Sequence, residues 1–369
     1  MARNRVIYQS EALYVSENAG STAENKHEQL TRVQSANYNF TINRQDVNEF
    51  GQLARIDSIV MDAPTVGLDF TYYPTDGFNE AALGFATGGG VQFASGHLIQ
   101  NSGKNLYITT VGEGSDAVGV SGDDVVSVIG LGNAFLTDYT LDLSVGSLPT
   151  VSVSMECANI NSDTTIGSGA LGQMTGISLP SVDITNGDVI NGNAILPATV
   201  ASGESDISAL RPGDITINIA ALDNFTISDI DGADTEESIH IQSASLSIPL
   251  GRSPIQRLGT RFAYARTVDF PVNATLSVSA IVNELTAQNL STIIDNGDTD
   301  EIILTLKDTN NANALVYTLK GCKVDSESFS SSIGSNKTVD LTFSTQIGGN
   351  NDTNNGVFLT AAGTEVAFS

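Results

Sequence analysis

The chain has no tryptophan, only two cysteines, three histidines and nine prolines in 369 residues. Two cysteines cannot staple a disulfide scaffold. Cys157 and Cys322 are therefore expected as buried thiols, with a disulfide between them the lesser alternative. His27, His97 and His240 fit no HExxH or other metal-ligand spacing and are expected at the surface or at strand ends. No GxSxG elbow and no GxxxxGK[ST] loop occurs, so neither an α/β-hydrolase nucleophile nor a phosphate cradle is indicated. No apolar run approaches the roughly 18 residues of a membrane span. The opening stretch, Met1 to Glu11, lacks the apolar core of a signal peptide, which makes synthesis in a cytoplasm the expectation. Basic residues are scarce, 16 Lys+Arg against 42 Asp+Glu, for a formal charge of −26. That balance argues against gripping nucleic acid, because grip needs cations that displace counterions. It leaves open a passage through which nucleic acid slides.

What is abundant is material for strands. Apolar residues make up 40%, enough for packed cores, while Ser, Thr and Asn cover much of the remaining surface. From Val33 to Ile42, Ala36, Tyr38, Phe40 and Ile42 alternate with Ser35, Asn37, Asn39 and Thr41, which predicts a strand with one buried face. Leu68, Phe70 and Tyr72 alternate with Asp69 and Thr71. Tyr139, Leu141, Leu143 and Val145, then Val151, Val153 and Met155, flank the turn Gly146-Ser147-Leu148-Pro149 and predict a hairpin. Short helices are expected over 79–85 and 282–294.

The sequence also repeats itself. Val33 to Gly51 overlays Ile241 to Gly259 at an offset of 208, with five identities and six apolar matches in 19 positions. Chance at ordinary residue usage gives roughly one identity. Asn79-Glu80 recurs as Asn283-Glu284, and Val151, Val153 and Met155 recur as Val339, Leu341 and Phe343. The predicted organisation is an N-terminal arm over 1–30, a first mainly-β domain over 31–160, a Gly/Ser/Asn-rich insertion or linker over 161–209, and a second copy over 210–369 with a C-terminal extension. Val6-Ile7-Tyr8 and Ala12 to Val15 are expected as short strands of the arm, and 17–28 as a loop. Pro249, inside the second copy's first strand, suits an edge or a bulge.

Other features read as architecture. Gly88-Gly89-Gly90, Gly112-Glu113-Gly114 and Gly130-Leu131-Gly132 are expected in turns or bulges. The acidic runs Asp295 to Glu301 and Asp229 to Gly232 do not match an EF-hand loop and are expected as solvated turns. Carboxylate pairs for acid–base work are abundant by composition alone, and none stands out.

Four segments resemble the tail tube (major tail) proteins of long-tailed bacteriophages: RNRVIYQSEAL from Arg3 to Leu13; Arg32 to Ser35 with DVNEFGQL from Asp46 to Leu53; FLTDY from Phe135 to Tyr139 with VGSLPTVSV from Val145 to Val153; and RLGTRFAYAR from Arg257 to Arg266. The resemblance implies a β-sandwich or partial barrel with a short helix. In that family domains pair strands edge to edge into a closed ring, and rings stack into a tube that conducts DNA. In duplicated members three chains give six similar domains, and three chains of −26 would carry −78. On this reading Arg44, Phe50, Arg252 and Leu258 are candidates for ring-to-ring contact, and Asp69, Asp138 and Asp142 for the lumen. The partners implied are further copies of the chain, the tape measure, terminator and baseplate proteins, and duplex DNA passing without specific binding. No cofactor, metal or membrane partner is implied, and the place is the virion tail, after synthesis in the host bacterial cytoplasm. The readings set against it are another virion structural protein of the same fold (terminator, baseplate or decoration), a surface carbohydrate-binding β-sandwich, and a glycosidase on a β-scaffold, with no enzyme activity the expectation.

Overall fold

A computed structural model describes residues 11–16, 27–98, 103–183, 188–198, 209–220, 240–260, 262–263, 265–281, 300–331 and 336–363. Antiparallel strands dominate it, with one short α-helix, Phe78–Leu83, and a helical turn, Ser95–Leu98. Eight strands form the central layer. Their order is Val33–Thr41, Thr65–Tyr72, Thr150–Cys157, Val125–Ser144, His240–Pro249, Val272–Ile281, Thr338–Ile347, Asn313–Ser330. Period-2 alternation builds it. Val66, Leu68, Phe70 and Tyr72 are buried while Thr65 and Asp69 are exposed. Val151, Val153, Met155 and Cys157 do the same next door. The hairpin turn forms as predicted, with Gly146 at φ 84° and the Ser147 amide donating to the Ser144 carbonyl.

The pairing scheme recurs between the two halves. Each half contributes four of these strands in the same relative order. The ladder of Val33–Thr41 with Thr65–Tyr72 slips between Val33 and Ser35, and that of His240–Pro249 with Val272–Ile281 slips between Ile241 and Ser243. A second slip falls between Leu136 and Asp138 in one half and between Val324 and Ser326 in the other. Even a side-chain bond recurs: Gln34 Nε2 donates to the Arg32 carbonyl at 3.0 Å, and Gln242 Nε2 to the His240 carbonyl at 3.2 Å.

The long strands Val125–Ser144 and Asn313–Ser330 run out of this layer into a second one. There Val125–Ser144 pairs with Lys104–Val111 and Asn159–Asp163, and Lys104–Val111 pairs with Glu11–Ser16. Asn313–Ser330 pairs with Asp300–Lys307 and Gly356–Ala361. One continuous apolar cluster fills the space between, from Leu13 and Leu68 through Leu106 and Leu141 to Leu246, Leu304 and Leu341. A smaller cluster joins Met174, Ile177, Ala194 and Leu196 of the insertion to Tyr14, Tyr107 and Val128. Burying a Leu or Ile side chain contributes about 1.5–3 kcal/mol, so this part of the insertion is anchored rather than tethered.

Several expectations are revised. The arm is woven in: Glu11–Ser16 is a buried strand, and His27–Gln29 pairs with it where a loop was expected. His27 and His97 are buried, each 1% exposed, because both lie under packed layers, whereas His240 is exposed. Gly132 fits the bulge alternative of its expectation, lying within a strand at the register shift between the Leu106↔Leu131 and Lys104↔Ala134 pairs; a Cβ there would come within 2.2 Å of the Pro180 carbonyl oxygen, so the glycine permits a close backbone approach. Pro249 ends an internal strand, opposite Asp138, instead of marking an edge. The helix expected over 79–85 appears as Phe78–Leu83. Val6 to Tyr8, the helix over 282–294 and most of both acidic runs lie outside the described residues. The central layer does not close into a barrel among the described residues: Val33–Thr41 and the distal part of Asn313–Ser330 are its open ends.

Candidate assembly interface

One face of the central layer is polar from end to end. Asn37, Asp69, Ser154, Thr140, Asp142, Ser245, Ser277 and Thr342 lie on it, linked by cross-strand pairing. Its hydroxyls and carboxylates bond to each other. Ser154 Oγ donates to Asp69 at 2.7 Å, Ser245 Oγ to Asp142 at 2.7 Å, and Thr140 Oγ1 to Asp138 at 3.0 Å. Partial burial raises the Asp138 carboxyl above the usual range, and the Thr140 hydrogen bond counters it. Across the ladder residues, the sole Lys or Arg is Lys323, at the margin. Asp69, Asp138 and Asp142, the three lumen candidates, lie on this one face of the layer.

Midway across the layer the halves join directly. Seven pairs, from Ser144↔Ser243 through Leu141↔Leu246 to Asp138↔Pro249, knit Val125–Ser144 to His240–Pro249. The apolar side of this joint is closed by aromatic rings. Phe85 stacks on Phe93 at 4.1 Å, and both meet Tyr139 edge-on. Beneath them Tyr72 donates to Glu80 at 2.8 Å, Tyr139 to Glu80 at 3.3 Å, and the hydroxyls of Tyr139 and Tyr317 lie 2.8 Å apart. Desolvation raises the carboxyl of Glu80, with Tyr72 and Tyr139 opposing it.

The outer strands have the same pattern with a neighbour on one side only among the described residues. Tyr38 and Phe40 on Val33–Thr41 are 42% and 59% exposed, and Phe329 on Asn313–Ser330 is 50% exposed. The clean alternation of 33–42 thus leaves the Tyr38 and Phe40 end of its apolar face open to solvent, against the expectation of burial, while Val33 and Ala36 pack against the core. An open strand edge of this kind is a template for pairing with another chain.

Two hairpins project from one end of the layer: Arg44–Val47 with Asp57–Val60, and Arg252–Ile255 with Ala265–Val268. Gly51 and Gly259 sit near their tips with φ 97° and 91°. Phe50, Leu53 and Leu258 are fully exposed. The two arginines at the hairpin bases differ. Arg252 is buried in its own chain. It donates to the carbonyls of His97 at 2.6 Å, Arg266 at 3.1 Å and Leu136 at 3.4 Å, and lies 5.0 Å from the centre of the Phe135 ring. Burial, aided by Arg266, lowers its guanidinium to about 10. Arg44, its counterpart, is exposed with no side-chain partner among the described residues. Sequence reasoning named both as ring-to-ring contact candidates; their position at the base of each hairpin could have been read from their closeness to Thr41 and Pro249.

Among the described residues no cluster of three His, Cys, Asp or Glu is placed to hold a metal. Cys157 and Cys322 are buried thiols not joined in a disulfide, and burial pushes the Cys157 thiol up to about 12, which leaves it un-nucleophilic at neutral pH. No helix among the described residues is long and apolar enough to cross a membrane. No protein-family model matches the chain, and no curated protein matches it significantly.

Proposed function

We propose that this chain is a duplicated structural unit that assembles with itself into rings, stacked as the tube of a phage tail. The observation that carries the reading is the internal joint. The chain already pairs the last strand of one half with the first strand of the other, and the corresponding strands at its two ends are open. A surface that satisfies itself once within a chain can do so again between chains, and a head-to-tail repeat whose rotation divides the full circle closes into a ring.

The size of such a ring follows from strand geometry. Three chains with eight central strands each wall it with 24. At ~4.8 Å between strands and ~40° of tilt, opposite backbones lie about 48 Å apart. Sixteen to eighteen strands already leave an aqueous channel in porins, so this bore admits a solvated duplex. Turning the polar face inward lines the bore with hydroxyls and with Asp69, Asp138 and Asp142, whose negative charge repels phosphate and favours sliding over sticking. Phe50 and Leu258, at the hairpin tips, are the ring-to-ring contacts in this arrangement. Its further partners are the tape measure, terminator and baseplate proteins of a virion tail.

Electron microscopy of the purified protein tests the reading. Hollow rings of three chains with pseudo-sixfold averages are the expected outcome. A chain that stays monomeric at high concentration and also fails to add to virion-derived tail tips overturns it, and glycan binding by such a monomer would point to the surface-module alternative.

A further inference from the structure

Building on the ring reading, we infer that the joint between chains has the register of the internal joint and is locked by Arg44, which enters the neighbouring chain as Arg252 enters its own.

The register transfers because the ladders correspond. Ser243 to Pro249 match 35–41 by the repeat offset of 208. The matching slips at Leu136/Asp138 and Val324/Ser326 align 135–144 with 323–332 at a second offset, 188. Leu141↔Leu246 therefore becomes Phe329 opposite Tyr38 of a second copy, and Tyr139↔Ile248 becomes Glu327 opposite Phe40. The residues so paired are the ones the single chain leaves exposed, Tyr38, Phe40 and Phe329.

Two further observations favour a second copy as the occupant. A groove of about 250 Å3 runs beside Leu13, Val33 and Ala36 at the open edge. At the corresponding place in the internal joint, beside Ile217, Ile241 and Ala244, only about 80 Å3 remains, with Leu143 and Val145 from the adjoining strand and its turn forming part of the wall. The charges also complement. Lys323, Asp325 and Glu327 give the distal strand a net −1, whereas Val33–Thr41 is uncharged and flanked by Arg32 and Arg44.

Arg252 reaches the Leu136 carbonyl across the internal joint. The equivalent acceptor for Arg44 is the Val324 carbonyl of the next chain, with the Asp325 carboxylate adjacent. Phe135, under Arg252, is replaced by Lys323, and Tyr139 by Glu327. The joint between chains thus lacks the ring under the guanidinium and the tyrosine network, and is the weaker of the two.

Paired cysteines test the register. Tyr38→Cys with Phe329→Cys places two thiols directly opposite, within disulfide reach. Tyr38→Cys with Glu327→Cys sets them on a diagonal ~7–8 Å apart, beyond it. Oxidation of assembled protein is expected to link chains in the first variant and not in the second. Rings that form but link only in the second, or in neither, overturn the register while leaving the ring reading intact; absence of rings overturns both. For the lock, Arg44→Ala is expected to raise the concentration of half-assembly roughly tenfold, with the melting temperature of the dispersed chain unchanged. Unaltered assembly of Arg44→Ala overturns the lock.

Discussion

Tyr139 and Tyr317, 178 residues apart in sequence, place their hydroxyls 2.8 Å from each other in the buried centre of the molecule. One comes from each half of the chain, and Glu80 ties them to Tyr72 through two further bonds. This network is the polar rivet of the internal joint, and its members sit where water cannot substitute for a missing partner.

Removing one hydroxyl is therefore expected to destabilise the chain by more than an exposed hydroxyl would. Tyr317→Phe should cost about 1–3 kcal/mol, read as a shift of the denaturant midpoint at unchanged slope. A double mutant with Tyr139→Phe should cost less than the sum of the single changes, because the two hydroxyls serve each other.

The buried carboxyls set a pH dependence of definite sign. Burial raises Glu80, and it moves Glu28 up to about 7. A carboxyl whose folded pKa lies above its unfolded value binds more protons in the folded state, so its contribution is complete below ~4.3 and is lost as pH rises through the folded value. Melting temperature should fall from pH 4.5 towards 7 through these two groups. Glu28→Gln should flatten that slope, and an unchanged profile in this variant would remove Glu28 from the explanation.

Exposed apolar tips should matter to contacts and not to folding. Phe50→Ser and Leu258→Ser are expected to leave the melting temperature of the dispersed chain within about 0.5 kcal/mol of stability. In the ring reading both changes abolish stacking into tubes while rings still close, a difference visible in micrographs.

Gly132→Ala should be costly, since the added methyl would meet the Pro180 carbonyl oxygen at 2.2 Å within a packed layer. An overpacking penalty of about 1–3 kcal/mol is expected in urea unfolding.

How much of this was legible in the sequence depended on whether the signal was local. The alternations at Leu68 to Tyr72 and at Val151 to Met155, the turn at Gly146 and the helix at Phe78–Leu83 arise from neighbouring residues, and each could be read directly. The repeat at Val33 and Ile241 pointed to matching strands, and the ladders carry matching slips. Burial was harder. The same alternation covers a core at Ala244, Leu246 and Ile248 but lies open at Tyr38 and Phe40, because among the described residues the former strand is flanked on both sides and the latter on one. Arg44 and Arg252, identical in the repeat, differ for the same reason: one has a neighbouring strand to enter. The burial of His27, at a strand end, and of His97 was missed because their cover comes from distant segments, such as Tyr107 against His27 and Phe85 against His97.

The joint between the halves lies inside one polypeptide, so dilution cannot dissolve it. Any contact made by the open edges Val33–Thr41 and 326–330 obeys mass action instead and fades as the protein is thinned. In the ring reading the molecule holds two versions of one strand pairing with different responses to abundance. One is present from the moment of folding, and the other is conditional on how many copies the surroundings contain.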